Sequence, residues 1–123
     1  MEATLTTIAA WLSFNFMLPP VYEHPRIEIA SLEKVHGYYD DATRTIYLPK
    51  GWTGNSPAEL SLLVHEMVHH VQNVAGMTYA CPEEREKLAY AAQRQWLALF
   101  GRELMKEFKL DPMTLLVRTN CMG

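Results

Sequence analysis

No uninterrupted apolar run in this chain reaches the ~18 residues that a membrane-spanning helix needs. Neither sign of charge dominates. Against 14 aspartates and glutamates stand 11 lysines and arginines, a net −3 that offers no basic footprint for a nucleic acid. Cysteine is scarce. Cys81 and Cys121 lie far apart and form no C-x-x-C pattern, which excludes the paired-cysteine zinc and redox motifs. Repeats and low-complexity tracts are absent. Residues 1–20 lack a basic start and a small-residue cleavage site, so they do not read as a secretory signal; Met1 is then either the native start or a residue added to a mature form. What the chain does have is apolar content, 49% of 123 residues, enough for one core. The expectation is a single domain over residues 1–123.

Apolar spacing predicts a first helix over Thr4–Leu18, ended by Pro19-Pro20, with Trp11, Phe14 and Phe16 packed into the core. Alternation in Arg26–Ser31 predicts a short strand. Val35–Tyr39 and Thr45–Leu48 flank the turn-like Asp40–Thr43 and predict a β-hairpin stopped by Pro49. Ser56-Pro57-Ala58-Glu59 is a helix start: Ser56 as cap, Pro57 at the first helical position, Glu59 completing a capping box. That helix should run to Val74 or Ala75, with Gly76 as its stop. Another helix should begin near Pro82 and run to Phe108, with Gly101 as a weak point or a close-packing site. Asp111-Pro112 opens a short last element over Met113–Val117.

Inside the second of these helices lies His65-Glu66-Met67-Val68-His69, an H-E-x-x-H pattern. Residues i and i+4 share a helix face, so His65 and His69 can offer two imidazoles to one metal ion. Zinc suits nitrogen ligands in a tetrahedral shell, and catalytic sites keep one position open for water. Glu66 sits about 100° around the helix, from where its carboxylate can reach such a water without being a ligand. Leu60, Leu63, Val64, Met67, Val71 and Val74 form an apolar stripe, with His65, His69 and Gln72 on the opposite side. His70 falls between the two and is expected at the boundary or surface, not on the metal.

A catalytic zinc needs a third protein ligand. No His follows at metzincin spacing, and Gly76 is out of register for that pattern. Cys81 sits in a helix lead-in and is a poor candidate. Glu83, Glu84 and Glu86 remain. On the wheel, Glu86 shares the inward face with Tyr90, Gln93, Leu97, Phe100, Leu104 and Phe108, whereas Glu84 points away. A carboxylate at Glu86 needs a strong partner there, which is either a metal or, on an internal network, an arginine or Tyr90.

This arrangement of hairpin, H-E-x-x-H helix and following helix with Glu86 resembles the gluzincin clan of zinc peptidases. The wider wording also looks like a family of small bacterial zincin-like proteins of unknown function. It comprises Asp40-Asp41, Ile46-Tyr47-Leu48-Pro49, His65-Glu66-Met67-Val68-His69-His70-x-Gln72, Cys81 and Glu86-x-x-Ala89-Tyr90-x-x-Gln93. The resemblance implies an α+β fold, a minimal zincin whose long following helix carries the third ligand. It implies one zinc ion per chain and Thr45–Leu48 lying along a cleft to pair with an extended peptide or protein substrate. The expected activity is hydrolysis, most simply of peptides, with Glu66 as general base and a tyrosine (Tyr90, Tyr47 or Tyr79) stabilising the oxyanion. The rival readings are a zinc-binding or interaction module without turnover and a hydrolase of non-peptide amides or esters.

The two cysteines are expected to pair, since Cys81 opens the Glu86 helix and Cys121 lies in a tail with little else to hold it. A bridge implies an oxidising compartment, periplasmic or secreted, with Met1 replacing an export signal; without one, the cytoplasm is implied.

Overall fold

A computed structural model describes residues 1–33 and 35–122. Helix α1 (Glu2–Phe16) buries Leu5, Ile8 and Leu12 and ends where Met17 turns left-handed (φ 56°) ahead of Pro19-Pro20. Of the three aromatics expected in the core, Trp11 and Phe16 pack there, with the Trp11 ring edge-on to Trp96 at 5.2 Å. Phe14 does not: it is 88% exposed. Two helical steps from Leu12 carry it about 200° away from the buried stripe.

Three strands follow: β1 (Arg26–Ala30), β2 (Tyr38–Asp40) and β3 (Thr45–Pro49). The hairpin forms, with Tyr39 opposite Ile46 and Asp40 opposite Thr45, but its first strand is shorter than expected. Asp40 closes the turn by accepting from Ala42 N–H and the Thr43 hydroxyl. The sheet order is β1-β3-β2, with β1 parallel to β3. Thr45–Leu48 is therefore the central strand and not the free edge expected for substrate pairing. The reason is visible in its side chains. Thr45, Ile46 and Leu48 are all buried, the side chains of a strand inside the sheet, with β1 bonded along one edge and β2 along the other.

Helix α2 (Pro57–Val74) starts as expected, with Glu59 N–H donating to Ser56 Oγ at 3.1 Å. The reciprocal half of the capping box is absent. Glu59 instead turns its carboxylate outward to Thr53 and Asn55, tying down the preceding loop. The stripe of Leu63, Val64, Met67 and Val71 is buried against α1 and the sheet, while Val74 at the end is exposed. Gly76 (φ 67°) closes the helix, with Met77 N–H returning to the Gln72 carbonyl.

Helix α3 (Pro82–Ala98) packs along α2, and it is shorter than the periodicity suggested. Gly101 (φ 71°) ends it, and Arg102 N–H bonds back to the Leu97 carbonyl. A Cβ at Gly101 would meet nothing within 4 Å, so its role is conformational and not close packing. The apolar period continued through this break because α4 (Leu104–Glu107) resumes on the same side and buries Leu104. Helix α5 (Pro112–Thr119) is capped by Asp111 and packs on α3. Cys81 and Cys121 form a disulfide joining the start of α3 to the end of the chain. The fold is thus α+β, and no described helix is long and apolar enough to cross a membrane.

The bridge spans 40 residues. In the chain-entropy model, a loop of that size adds about 3–4 kcal/mol of stability. Cys81→Ser with Cys121→Ser should lower the denaturation midpoint correspondingly. No thiol should titrate in the unfolded, unreduced wild type; two per chain would contradict the pairing.

Candidate metal centre

His65, Glu66 and His69 project from α2 with only 6–7% of each exposed, and their donor atoms lie within 4.8 Å of one another. Glu86 approaches from the first turns of α3. Its two carboxylate oxygens lie 3.2 and 3.3 Å from His65 Nε2 and 2.8 Å from His69 Nε2. Of the three glutamates open as a third ligand, Glu86 alone meets both imidazoles among the described residues. Zinc bonds of about 2.0–2.1 Å in a tetrahedral shell place neighbouring donors roughly 3.3 Å apart. Two imidazole nitrogens and a carboxylate fit that ion in type and spacing.

The decisive feature is which imidazole nitrogen carries the proton. Ser61 hydroxyl donates to the Ala58 carbonyl at 2.7 Å, so its oxygen is left to accept from Gln93 Nε2 at 3.2 Å. The Gln93 amide oxygen must then face His65 Nδ1, 2.8 Å away, which therefore carries the hydrogen. A second relay runs to His69. Gln72 Nε2 donates to the Arg85 carbonyl at 3.1 Å, and Gln72 Oε1 accepts from His69 Nδ1 at 2.9 Å and from Arg85 Nε at 3.3 Å. Both Nδ1 atoms are thus donors, which leaves both Nε2 atoms facing the Glu86 carboxylate; protonated they donate to it, and neutral they would offer their lone pairs to a shared ion. Gln72 and Gln93 stood on the expected faces but received no role from sequence, and Ser61 gave no signal at all.

Burial and charge compete at this point. Burial opposes charge on His65, yet the Glu66 and Glu86 carboxylates overcome it and raise its pKa. Burial likewise works against ionised Glu86, but hydrogen bonds to His65 and His69 hold its carboxyl well below the usual range. Burial raises the Glu66 carboxyl, with the two histidines pulling the other way. Positive charge close by stabilises two carboxylates in one buried pocket, and a bound divalent ion would supply it while leaving both imidazoles neutral.

Glu66 itself is crowded from the sheet side. A Cβ at Gly37 would lie 3.1 Å from Glu66 Oε2, so the backbone there is close-packed on the carboxylate. Arg85 braces the other flank. It grips Asp41 on the hairpin turn through two bonds of 2.7 and 2.8 Å and donates to the His69 carbonyl at 3.1 Å. Neither Gly37 nor Arg85 was singled out by sequence.

His70 is not a ligand, as expected, but it is fully buried and not at the surface. It donates from Nε2 to the Glu23 carbonyl and accepts the Tyr39 hydroxyl at Nδ1, each at 2.8 Å. The segment before β1 covers this side of α2, which no local pattern reveals. Burial lowers its pKa and keeps it neutral. Of the three tyrosines considered for the oxyanion, Tyr90 alone lines the cleft, with its ring 4.6 Å from that of His65. Tyr47 stacks on Tyr38 and Tyr79 contacts Met77. The cleft measures about 780 Å³ and runs between Val35–Tyr39 and α2 on one side and α3, α4 and α5 on the other.

The relays make a sharp prediction. Gln93→Leu and Gln72→Leu preserve side-chain size but remove the acceptor that fixes each imidazole. Each should weaken zinc affinity by roughly 10–100-fold, measured by chelator competition, with the fold retained. Unaltered affinity in both variants would mean that the ring orientation is set elsewhere.

No curated protein and no solved structure is significantly similar to the chain. A family described as Domain of unknown function (DUF6647) matches residues 1–123, and the chain belongs to that family.

Proposed function

We propose that this chain is a zinc-dependent hydrolase of peptides, a minimal zincin with one zinc ion held by His65, His69 and Glu86. The observation that carries the reading is the pair of directed relays, which aim the Nε2 atoms of both histidines at the one point that the Glu86 carboxylate also faces. When bound, zinc would supply an acidified water and polarise the substrate carbonyl.

The remaining steps fall to side chains. Glu66, made more basic by burial, would take the proton of the attacking water and return it to the leaving amine. Tyr90 accepts a hydrogen bond from Arg118 and so keeps its own hydroxyl proton for a developing oxyanion. Substrate pairing moves from β3 to β2. Tyr38–Asp40 is an edge strand, and its Tyr38 and Tyr39 border the cleft, so its outer edge suits an extended peptide. The disulfide supports an oxidising compartment, periplasmic or extracellular.

Purified protein should hold about one zinc per chain. His65→Ala, His69→Ala and Glu86→Ala should each lose most of it by elemental analysis; retention by Glu86→Ala would end the three-ligand reading. Glu66→Gln separates enzyme from binding module. It should keep zinc and fold but lose hydrolysis of a peptide library by at least ~100-fold, since an amide cannot take the proton. A zinc-loaded wild type inert on broad peptide and ester panels would favour a binding module instead.

A further inference from the structure

The cleft wall facing α2 brings two cations toward the metal centre. Arg118 projects from α5, and its Nη1 donates to the Tyr90 hydroxyl at 3.3 Å. The Tyr90 ring meets the His65 ring edge-on, with centroids 4.6 Å apart. The guanidinium thus stands one tyrosyl side chain away from a metal ligand. Lys109 lines the same wall from the turn between α4 and α5. Among the described residues, neither forms an ion pair.

Lys109 also sits in a left-handed conformation (φ 52°), with Leu110 N–H bonded back to the Met105 carbonyl at 2.9 Å. Glycine fills such a helix-terminating position at least cost. A lysine held there, facing the cleft, suggests a use for its charge. None of the cleft's carboxylates pairs with these cations. Glu66 and Glu86 belong to the metal centre, and Glu83 lies nearly two turns before Tyr90 on α3. Both cations therefore line the cleft without a carboxylate partner among the described residues.

We propose that Arg118, with Lys109 on the same wall, is a carboxylate-recognition site, so that the cleft selects substrates bearing a carboxylate one or two residues beyond the bond that is cut. This rests on the zinc-hydrolase reading and names its substrate class. Tyr90 occupies one guanidinium N–H, and the others remain to grip a carboxylate in the paired geometry that arginine favours. Extended residues advance ~3.5 Å each, so one or two bridge the length of a tyrosyl side chain. The carboxylate comes either from a free chain terminus or from an aspartate or glutamate side chain.

Three zinc-chelating hydroxamates distinguish the outcomes when titrated calorimetrically into the zinc-loaded protein. One carries Leu-Leu with a free C-terminal carboxylate, one is its C-terminal amide, and one is the amide with aspartate as the last residue. The free acid or the aspartyl amide should bind about tenfold tighter than the plain amide, and whichever does so identifies the source. Arg118→Gln should erase that difference, and Arg118→Lys should restore part of it. Equal binding of all three to wild type would overturn the carboxylate site while leaving the zinc reading intact. The same factor lost for acid and amide alike in Arg118→Gln would reduce Arg118 to a prop for Tyr90. Failure of all three to bind would remove the zinc reading, and this proposal with it.

Discussion

The site depends on hydrogen-bond direction. A backbone carbonyl can only accept, and each of the two relays begins at one. From the Ala58 carbonyl the polarity passes through Ser61 and Gln93 to His65; from the Arg85 carbonyl it passes through Gln72 to His69. Every link is buried or partly buried, where an unpaired polar group costs about 1–3 kcal/mol, so no member can reverse alone. The two imidazoles are thereby committed to one Nδ1–H orientation by helix backbone some distance from the point that both Nε2 atoms face. Burial that would otherwise make this centre expensive is what holds it to a single arrangement.

The sequence disclosed the parts of the molecule governed by local periodicity. The start and stop of α2, the spacing of His65 and His69, and the inward face of Glu86, Tyr90 and Gln93 all follow from about 100° per residue. The errors arose where a local rule met a tertiary partner. Periodicity ran straight through Gly101 because α4 returns its apolar face to the same side, so one helix was expected where two exist. The hairpin was legible, but β1 pairing in parallel on the far side of β3 was not, and that pairing decides which strand is the edge. His70 lay on neither face of the wheel because it faces a third neighbour, the carbonyl of Glu23, 47 positions earlier in the chain.

One available signal went unused. Gln93 is an amide on an otherwise inward face, about two helical turns beyond Glu86. An uncharged polar residue there must be satisfied by another buried group, and His65 was the nearest candidate in need of an acceptor. Gly37 and Ser61 offered no comparable clue, because their roles depend on contacts that only the folded chain creates.

Helix α3 joins the candidate metal centre to the rest of the cleft, and its first turns are held from three directions. Cys81, its cap residue, is bonded to Cys121 beyond α5. Arg85 grips Asp41 on the hairpin turn while its own carbonyl takes the Gln72 amide. Glu86, the next residue, lies about 100° further round and faces the histidines. Adjacent residues therefore divide the work, Arg85 fixing the helix to the sheet and Glu86 using that fixed position to meet α2. The same helix supplies Tyr90, which reaches across to Arg118 on α5. A domain of this size has little core to spare for rigidity. Concentrating disulfide, bidentate ion pair and the histidine-facing carboxylate within six residues places that rigidity where Glu86 meets α2.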